Sequence, residues 1–223
     1  MLQAGAWMPA QLPTDVIATS TVMLGGDPTA TKTITFKSHG SNQFRWEYSD
    51  APDQASISDL GKGLASGPKG MGLFAQASQP WQFPFLGPLQ QFVDPAVVVE
   101  YLGTEYLNGT TYKIRLHRIP SPNQPRADEI VAGSPMTIWI SAATYLPIQI
   151  EYLKQSTTDR LAFEHRLRKY SDYRTFNGVQ VAFHQEEWSY GVLLYTFDLT
   201  DLKFNAGTSP TQFQLSSAIG GVQ

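Results

Sequence analysis

Thr31-Lys32-Thr33-Ile34-Thr35-Phe36-Lys37, a polar turn at His39-Gly40-Ser41-Asn42, and then Phe44-Arg45-Trp46-Glu47-Tyr48 decide the fold of this chain. In the first run Ile34 and Phe36 alternate with Thr33, Thr35 and Lys37. In the second, Phe44, Trp46 and Tyr48 alternate with Arg45 and Glu47. A period of two puts the apolar set on one face of a strand and the polar set on the other. Two such runs joined by a short polar turn predict an antiparallel hairpin with an aromatic inner face.

The same reading extends outward from that hairpin. Residues 97–106 predict a strand, Asn108-Gly109 a two-residue hairpin turn, and residues 110–118 the return strand. In that strand Tyr112, Ile114 and Leu116 share a face. A proline-rich loop over 119–126 follows. Residues 136–141 and 146–154 form a further pair around Thr144-Tyr145. Residues 161–173, 180–189 and 192–204 make a last meander with turns at Asn177-Gly178 and Tyr190-Gly191. Strands joined by tight turns must run antiparallel, because parallel neighbours need long crossovers. The expected fold is mainly β: a single domain built on one strongly curled antiparallel sheet, an incomplete barrel. About ten strands are expected, a number that makes an open sheet curl.

Two segments break the period. Residues 1–14 read as the tail of a truncated helix or as an arm, preceding the first strands at 15–60. Residues 61–95 begin with a glycine-dense stretch. They continue with Trp81, Phe83, Phe85, Leu86, Leu89, Phe92 and Val93 between prolines. Pro88 can open a short helix and Asp94-Pro95 can close it. A curled sheet needs apolar cover on its concave side, and this segment is the expected lid. The remaining strands occupy 96–215, with a tail at 216–223.

Composition excludes several classes of function. The chain has no cysteine and a formal net charge of −3. Thiolate metal sites, disulfides and a cysteine nucleophile are therefore out, and no basic stripe suggests nucleic acid. No apolar run approaches the roughly 20 residues of a spanning helix. The start of the chain lacks the basic and apolar regions of a signal peptide. No G-x-S-x-G elbow occurs. Gly61-Lys62-Gly63 and Gly67-Pro68-Lys69-Gly70 lack the Ser/Thr of a phosphate loop and read as plain loop. Asn108-Gly109-Thr110 fits a glycosylation sequon but reads as a turn. His184-Gln185-Glu186-Glu187 is the nearest approach to a metal cluster and reads as a solvated polar face. Glu186 and Glu187 are adjacent on a strand, so they point to opposite faces and cannot act as a carboxylate pair. No catalytic residue, metal or cofactor is expected.

Three stretches carry a resemblance to a known family: Gln43-Phe44-Arg45-Trp46-Glu47-Tyr48 with the acidic turn Asp50-Ala51-Pro52-Asp53; Ile138-Trp139-Ile140-Ser141-Ala142-Ala143-Thr144-Tyr145-Leu146-Pro147; and Tyr173-Arg174-Thr175-Phe176-Asn177-Gly178-Val179-Gln180-Val181. Together they resemble the bacterial lipoprotein-carrier fold, the LolA, LolB and RseB-like group, over about residues 15–215. The resemblance implies an incomplete β-barrel around an apolar cavity with a helical lid. It also implies a non-enzymatic role with acyl chains in the periplasm. The arginine that precedes the aromatic strand in the family's carrier has no counterpart in Ser38-His39-Gly40-Ser41.

These readings give one expectation and one alternative. The expectation is a monomeric, exported protein that binds a lipid acyl chain or other apolar ligand. The cavity wall would be Ile34, Phe36, Phe44, Trp46 and Tyr48, with Trp81, Phe83, Phe85, Leu86 and Leu89 from the lid. A fully packed lid would instead give a closed core. The alternative is an envelope sensor or adaptor that binds a protein partner through an edge strand or the 61–80 loop.

Overall fold

The computed structural model describes residues 13–40, 43–59, 64–66, 95–120, 127–155 and 162–214. Among the described residues twelve strands follow one another: β1 (Asp15–Leu24), β2 (Thr31–His39), β3 (Gln43–Tyr48), β4 (Ala51–Asp59), β5 (Leu64–Ser66), β6 (Val97–Tyr106), β7 (Thr110–Arg118), β8 (Met136–Ser141), β9 (Pro147–Gln155), β10 (Phe163–Phe176), β11 (Val179–Ser189) and β12 (Val192–Phe204). One short helix, α1 (Ala127–Gly133), separates β7 from β8, and a single 3-10 turn, Pro210–Phe213, follows β12. All twelve strands form one sheet in the order β5-β4-β3-β2-β1-β12-β11-β10-β9-β8-β7-β6. Every pairing is antiparallel. The sheet is open, with β5 and β6 at its edges. Its register breaks in five strand pairs, at Thr19/Ser20, Trp46/Tyr48, Tyr101/Gly103, Trp139/Ile140 and Glu187/Trp188. Such irregularities bend a strand and raise its twist, which suits a sheet curled into an open half-barrel.

The expected hairpins are present. Phe176 pairs with Val179 across Asn177-Gly178, and Ser189 with Val192 across Tyr190-Gly191. All four turn residues have positive φ, between 48° and 80°, as the preferred two-residue hairpin turn demands. The Asn108 turn differs from expectation. Tyr106 pairs with Thr110, so the connection has three residues rather than two; Asn108 takes the left-handed φ of 51° that a short amide side chain tolerates, and Gly109 follows at 136°.

Two strands and one helix were not apparent from periodicity. The stretch around Asp50 to Asp53, read as an acidic turn, turns only at Ser49-Asp50, because Tyr48 already pairs with Ala51. Pro52 then lies inside β4. It is tolerated because the β3–β4 register is broken between Trp46 and Tyr48, where no regular ladder calls for the N–H donor that proline lacks. β5 is three residues long and falls in the glycine-dense stretch. Helix α1 spans seven residues, too few to display a helical period. The helix expected before the first strand and the lid expected after β5 lie outside the described residues.

Directly opposed residues in a sheet share a face. That rule traces one continuous inner face, mostly apolar. Phe44 opposes Ser38, which opposes Val16, which opposes Phe204. Farther across, Arg168 opposes Ile150, then Ile138, then Ile114. Two clusters pack on this inner face. The first joins Val16, Ala18, Phe36, Phe44 and Leu202 with Val179 and Val181. The second joins Ile114, Leu116, Met136, Ile138, Ile150, Tyr152 and Tyr170.

The other face is polar yet not uniformly wet. Glu47 is buried there between Lys37 and Arg45: Lys37 Nζ donates to Oε1 at 2.8 Å and Arg45 Nε to Oε2 at 2.7 Å. The chain beyond β12 folds back against this region. Arg45 Nη1 donates to the Gln212 carbonyl, Thr208 Oγ1 to the Ser38 carbonyl, and Phe213 is buried. Burial pushes the Glu47 carboxyl up, but the hydrogen bonds from Lys37 and Arg45 outweigh it and hold its pKa below the usual 4.5. A carboxyl whose pKa is depressed by folding adds stability above its unfolded value and loses it as pH falls through the folded one. Glu47→Gln is therefore expected to cost about 1–2 kcal/mol at neutral pH. The gap to wild type should close as the pH drops below 4.5. Chemical denaturation across pH measures it, and a gap independent of pH would contradict the assignment.

Candidate functional site

The sequence-predicted wall residues separate into three groups. Ile34, Phe36 and Phe44 lie on the inner face and are fully buried, Phe44 at 0 % exposure. Trp46 and Tyr48 share that face, opposite Phe36 and Ile34, and are half-buried, with their rings in edge contact at 5.6 Å. Trp81, Phe83, Phe85, Leu86 and Leu89 lie outside the described residues. The Trp46 indole N–H is buried without a hydrogen-bond partner.

Periodicity missed a charged group on the same face. Leu24 opposes Tyr195, which opposes Glu187, which opposes Arg168. The strands β10, β11 and β12 that carry this row lie in the middle of the sheet. Glu187 and Arg168 side chains are 1 % and 3 % exposed, with Arg168 Nε donating to Glu187 Oε2 at 2.7 Å. Tyr152 Oη donates to Glu187 Oε1 at 2.5 Å. Arg168 Nη2 reaches Tyr195 Oη at 3.4 Å, and the Arg168 guanidinium lies 6.0 Å from the Phe197 ring.

The electrostatics follow from burial. Burial disfavours the Arg168 charge, but Glu187 outweighs it and raises the Arg168 pKa well above its ordinary value, so the guanidinium stays protonated. Burial also pushes the Tyr152, Tyr170 and Tyr195 phenols up, so all three remain neutral donors. The expected solvated stretch at His184–Glu187 is thus corrected for Gln185 and Glu187, which turn inward and are buried. His184 turns outward instead, with Nδ1 2.7 Å from Asp198 Oδ1 and Nε2 3.7 Å from Glu186 Oε1. The signal was available in the alternation itself, since Glu187 has the strand parity of Val181 and Gln185.

Trp139, part of the motif that suggested the family, faces the outer side. It is 5 % exposed, its Nε1 donates to Glu105 Oε2 at 2.8 Å, and Lys113 Nζ sits 4.9 Å from its ring. That arrangement locks β6, β7 and β8 together. Two hollows open elsewhere. One of 730 Å³ lies at the β6–β7 turn, lined in part by Asn108, Thr111, Gln149, Lys169 and Glu186. One of 570 Å³ is lined in part by Glu100, Arg115, His117, Glu151 and His165. Both are rimmed by polar groups, and neither touches the Phe36–Phe44 cluster.

No protein-family model and no curated protein sequence matches the chain. Solved structures do. A LolA superfamily protein from Nitrosomonas europaea superposes with a TM-score of 0.57 at 12% identity, covering 94% of this chain and 93% of that one. A domain provisionally named for outer membrane lipoprotein sorting, from Vibrio parahaemolyticus, gives 0.56 at 14% identity over 90% and 89%. A DUF1329 family protein from Desulfovibrio piger gives 0.53 at 14% identity over 92% and 91%. Likeness over nine-tenths of both chains extends to the whole sheet rather than to one hairpin, and so this chain has a LolA-like fold.

Proposed function

We propose that the chain is a non-enzymatic, exported cell-envelope protein that binds a lipid acyl chain or another apolar ligand against the inner face of its half-barrel. The observation that carries this reading is the extent of that face. Apolar side chains run across it from Phe44 on β3 to Ile114 on β7, over an open sheet rather than a closed barrel. The likeness to a domain named for lipoprotein sorting supports the same reading. Trp46 and Tyr48, half-buried beside the packed cluster, are the described aromatics best placed to meet a ligand. Binding would be driven by burial of hydrocarbon, about 0.8 kcal/mol per methylene. A dozen methylenes would give on the order of 10 kcal/mol before the costs of association.

Titration with a fluorescent fatty acid tests this. Saturable, one-to-one binding with a shift in Trp46 emission is expected. Absence of saturable binding would overturn it.

A second reading has its own observation. β6 is an edge strand of ten residues on which Val99, Tyr101, Leu102 and Tyr106 are 40–79 % exposed. Long apolar edges invite an added strand, so an envelope protein could pair there. Capture of such a partner that is lost in Leu102→Pro, with no fatty-acid binding, would favour the adaptor.

A further inference from the structure

The inner face ends in a cationic patch. Beyond the Arg168–Glu187 row, Tyr152 opposes Arg166, and Lys154 opposes Glu164. Three cations, Lys154, Arg166 and Arg168, therefore stand against two carboxylates, Glu164 and Glu187, leaving one positive charge in excess. The carboxylates are already taken. Glu187 holds Arg168, and Glu164 accepts from Arg166 Nη2. Lys154 has no ion-pair partner among the described residues, although it is half-buried. Burial, and then the charge of Arg166, lower the ammonium pKa.

Spare donors accompany the spare charge. Arg168 Nη1 and Arg166 Nε are both buried and lack a hydrogen-bond partner. Arg168 is 97 % buried as a side chain, since its exposure is 3 %. An unpaired buried donor is costly, and one on a guanidinium more so. A buried ion pair by itself adds little to stability compared with apolar residues of the same volume. An apolar face that only had to pack, or only had to hold hydrocarbon, would have no use for this group.

We propose that Lys154, Arg166 and Arg168 receive the anionic head group of an amphiphile whose hydrocarbon lies along the inner face. This rests on the apolar-ligand reading above and names the class of ligand more closely: a carboxylate or phosphate joined to an alkyl chain. A carboxylate oxygen would take the free Arg168 Nη1 and Arg166 Nε hydrogens, and Lys154 would balance the charge. A guanidinium is suited to this because its planar set of donors matches such oxygens.

Palmitic acid, hexadecyl phosphate and hexadecanol share a chain length and differ in the head. Their affinities for the full chain, measured by calorimetry at pH 8, separate the cases. At least one anion is expected to bind ten-fold or more tightly than the alcohol, and the stronger of the two identifies the head group. In Lys154→Met and Arg166→Met, each checked for an unchanged circular dichroism spectrum, that ratio should fall at least five-fold. Equal affinity for all three ligands, or a ratio unchanged in both variants, overturns the head-group proposal while leaving the apolar-ligand reading in place. Failure of all three to bind overturns both.

Discussion

Glu187→Ala is expected to destabilise the protein by about 3–5 kcal/mol, the range for removing one member of a buried ion pair. The size follows from what is left behind. Arg168 keeps its charge at any accessible pH, its side chain is 3 % exposed, and its Nε loses the 2.7 Å carboxylate that neutralises it. Tyr152 Oη loses its acceptor in the same step. Urea denaturation at pH 7 measures the loss. A change under 1 kcal/mol would mean that the group is hydrated and not enclosed. The double variant Arg168→Met with Glu187→Leu provides the control. Removing both charges should recover most of the lost stability, while any preference for an anionic ligand disappears.

Phe44→Ala carries the other large effect, also about 3–5 kcal/mol. Phe44 is 0 % exposed and sits 6.0 Å from the Phe36 ring, within a cluster that takes Val16 and Ala18 from β1, Leu202 from β12 and Val181 from β11. Truncation opens a space inside a cluster drawn from four other strands, and a rigid sheet can refill little of it. Thermal or urea unfolding of the variant gives the number. The experiment also assigns the residue a role. If Phe44 lined a ligand cavity and not the core, its truncation would cost little stability and would mainly change ligand affinity.

The sheet was legible because its signals are local. Period-two runs and Asn-Gly turns specify β2–β3, β6–β7 and β10–β12 without reference to distant residues, and Ile34, Phe36 and Phe44 fall on the inner face that alternation assigns them. What escaped was either short or dependent on distant partners. β4 contains a proline that only a broken β3–β4 register makes admissible, and α1 is two turns long. Within the site, alternation gives Glu187 the inward parity of Val181, but nothing local marks Arg168 as its buried partner. Their burial comes from neighbours on β9 and β12, Tyr152 and Tyr195, which no short window of sequence places beside them. The half-buried state of Trp46 and Tyr48, against the full burial of Phe44, likewise depends on packing beyond the hairpin that holds all three.

The pairing of β1 with β12 has a kinetic meaning. Every other contact between neighbouring strands joins strands consecutive in the chain, so each can form once its own connection closes. The β1–β12 seam instead joins residues about 190 apart in the chain, tied at Thr14 to Asn205 and at Asp15 to Ala206. Closing a loop that long costs roughly 4–5 kcal/mol by the logarithmic length dependence, and contacts of such separation are slow to form. The chain is thus two locally folding halves, a short β1–β5 ladder and a longer β6–β12 ladder, joined late. The first cluster, with Phe36 and Phe44 from one half and Val179, Val181 and Leu202 from the other, is completed only when that seam closes. Assembly of the inner face and assembly of the surface proposed for the ligand are then the same event.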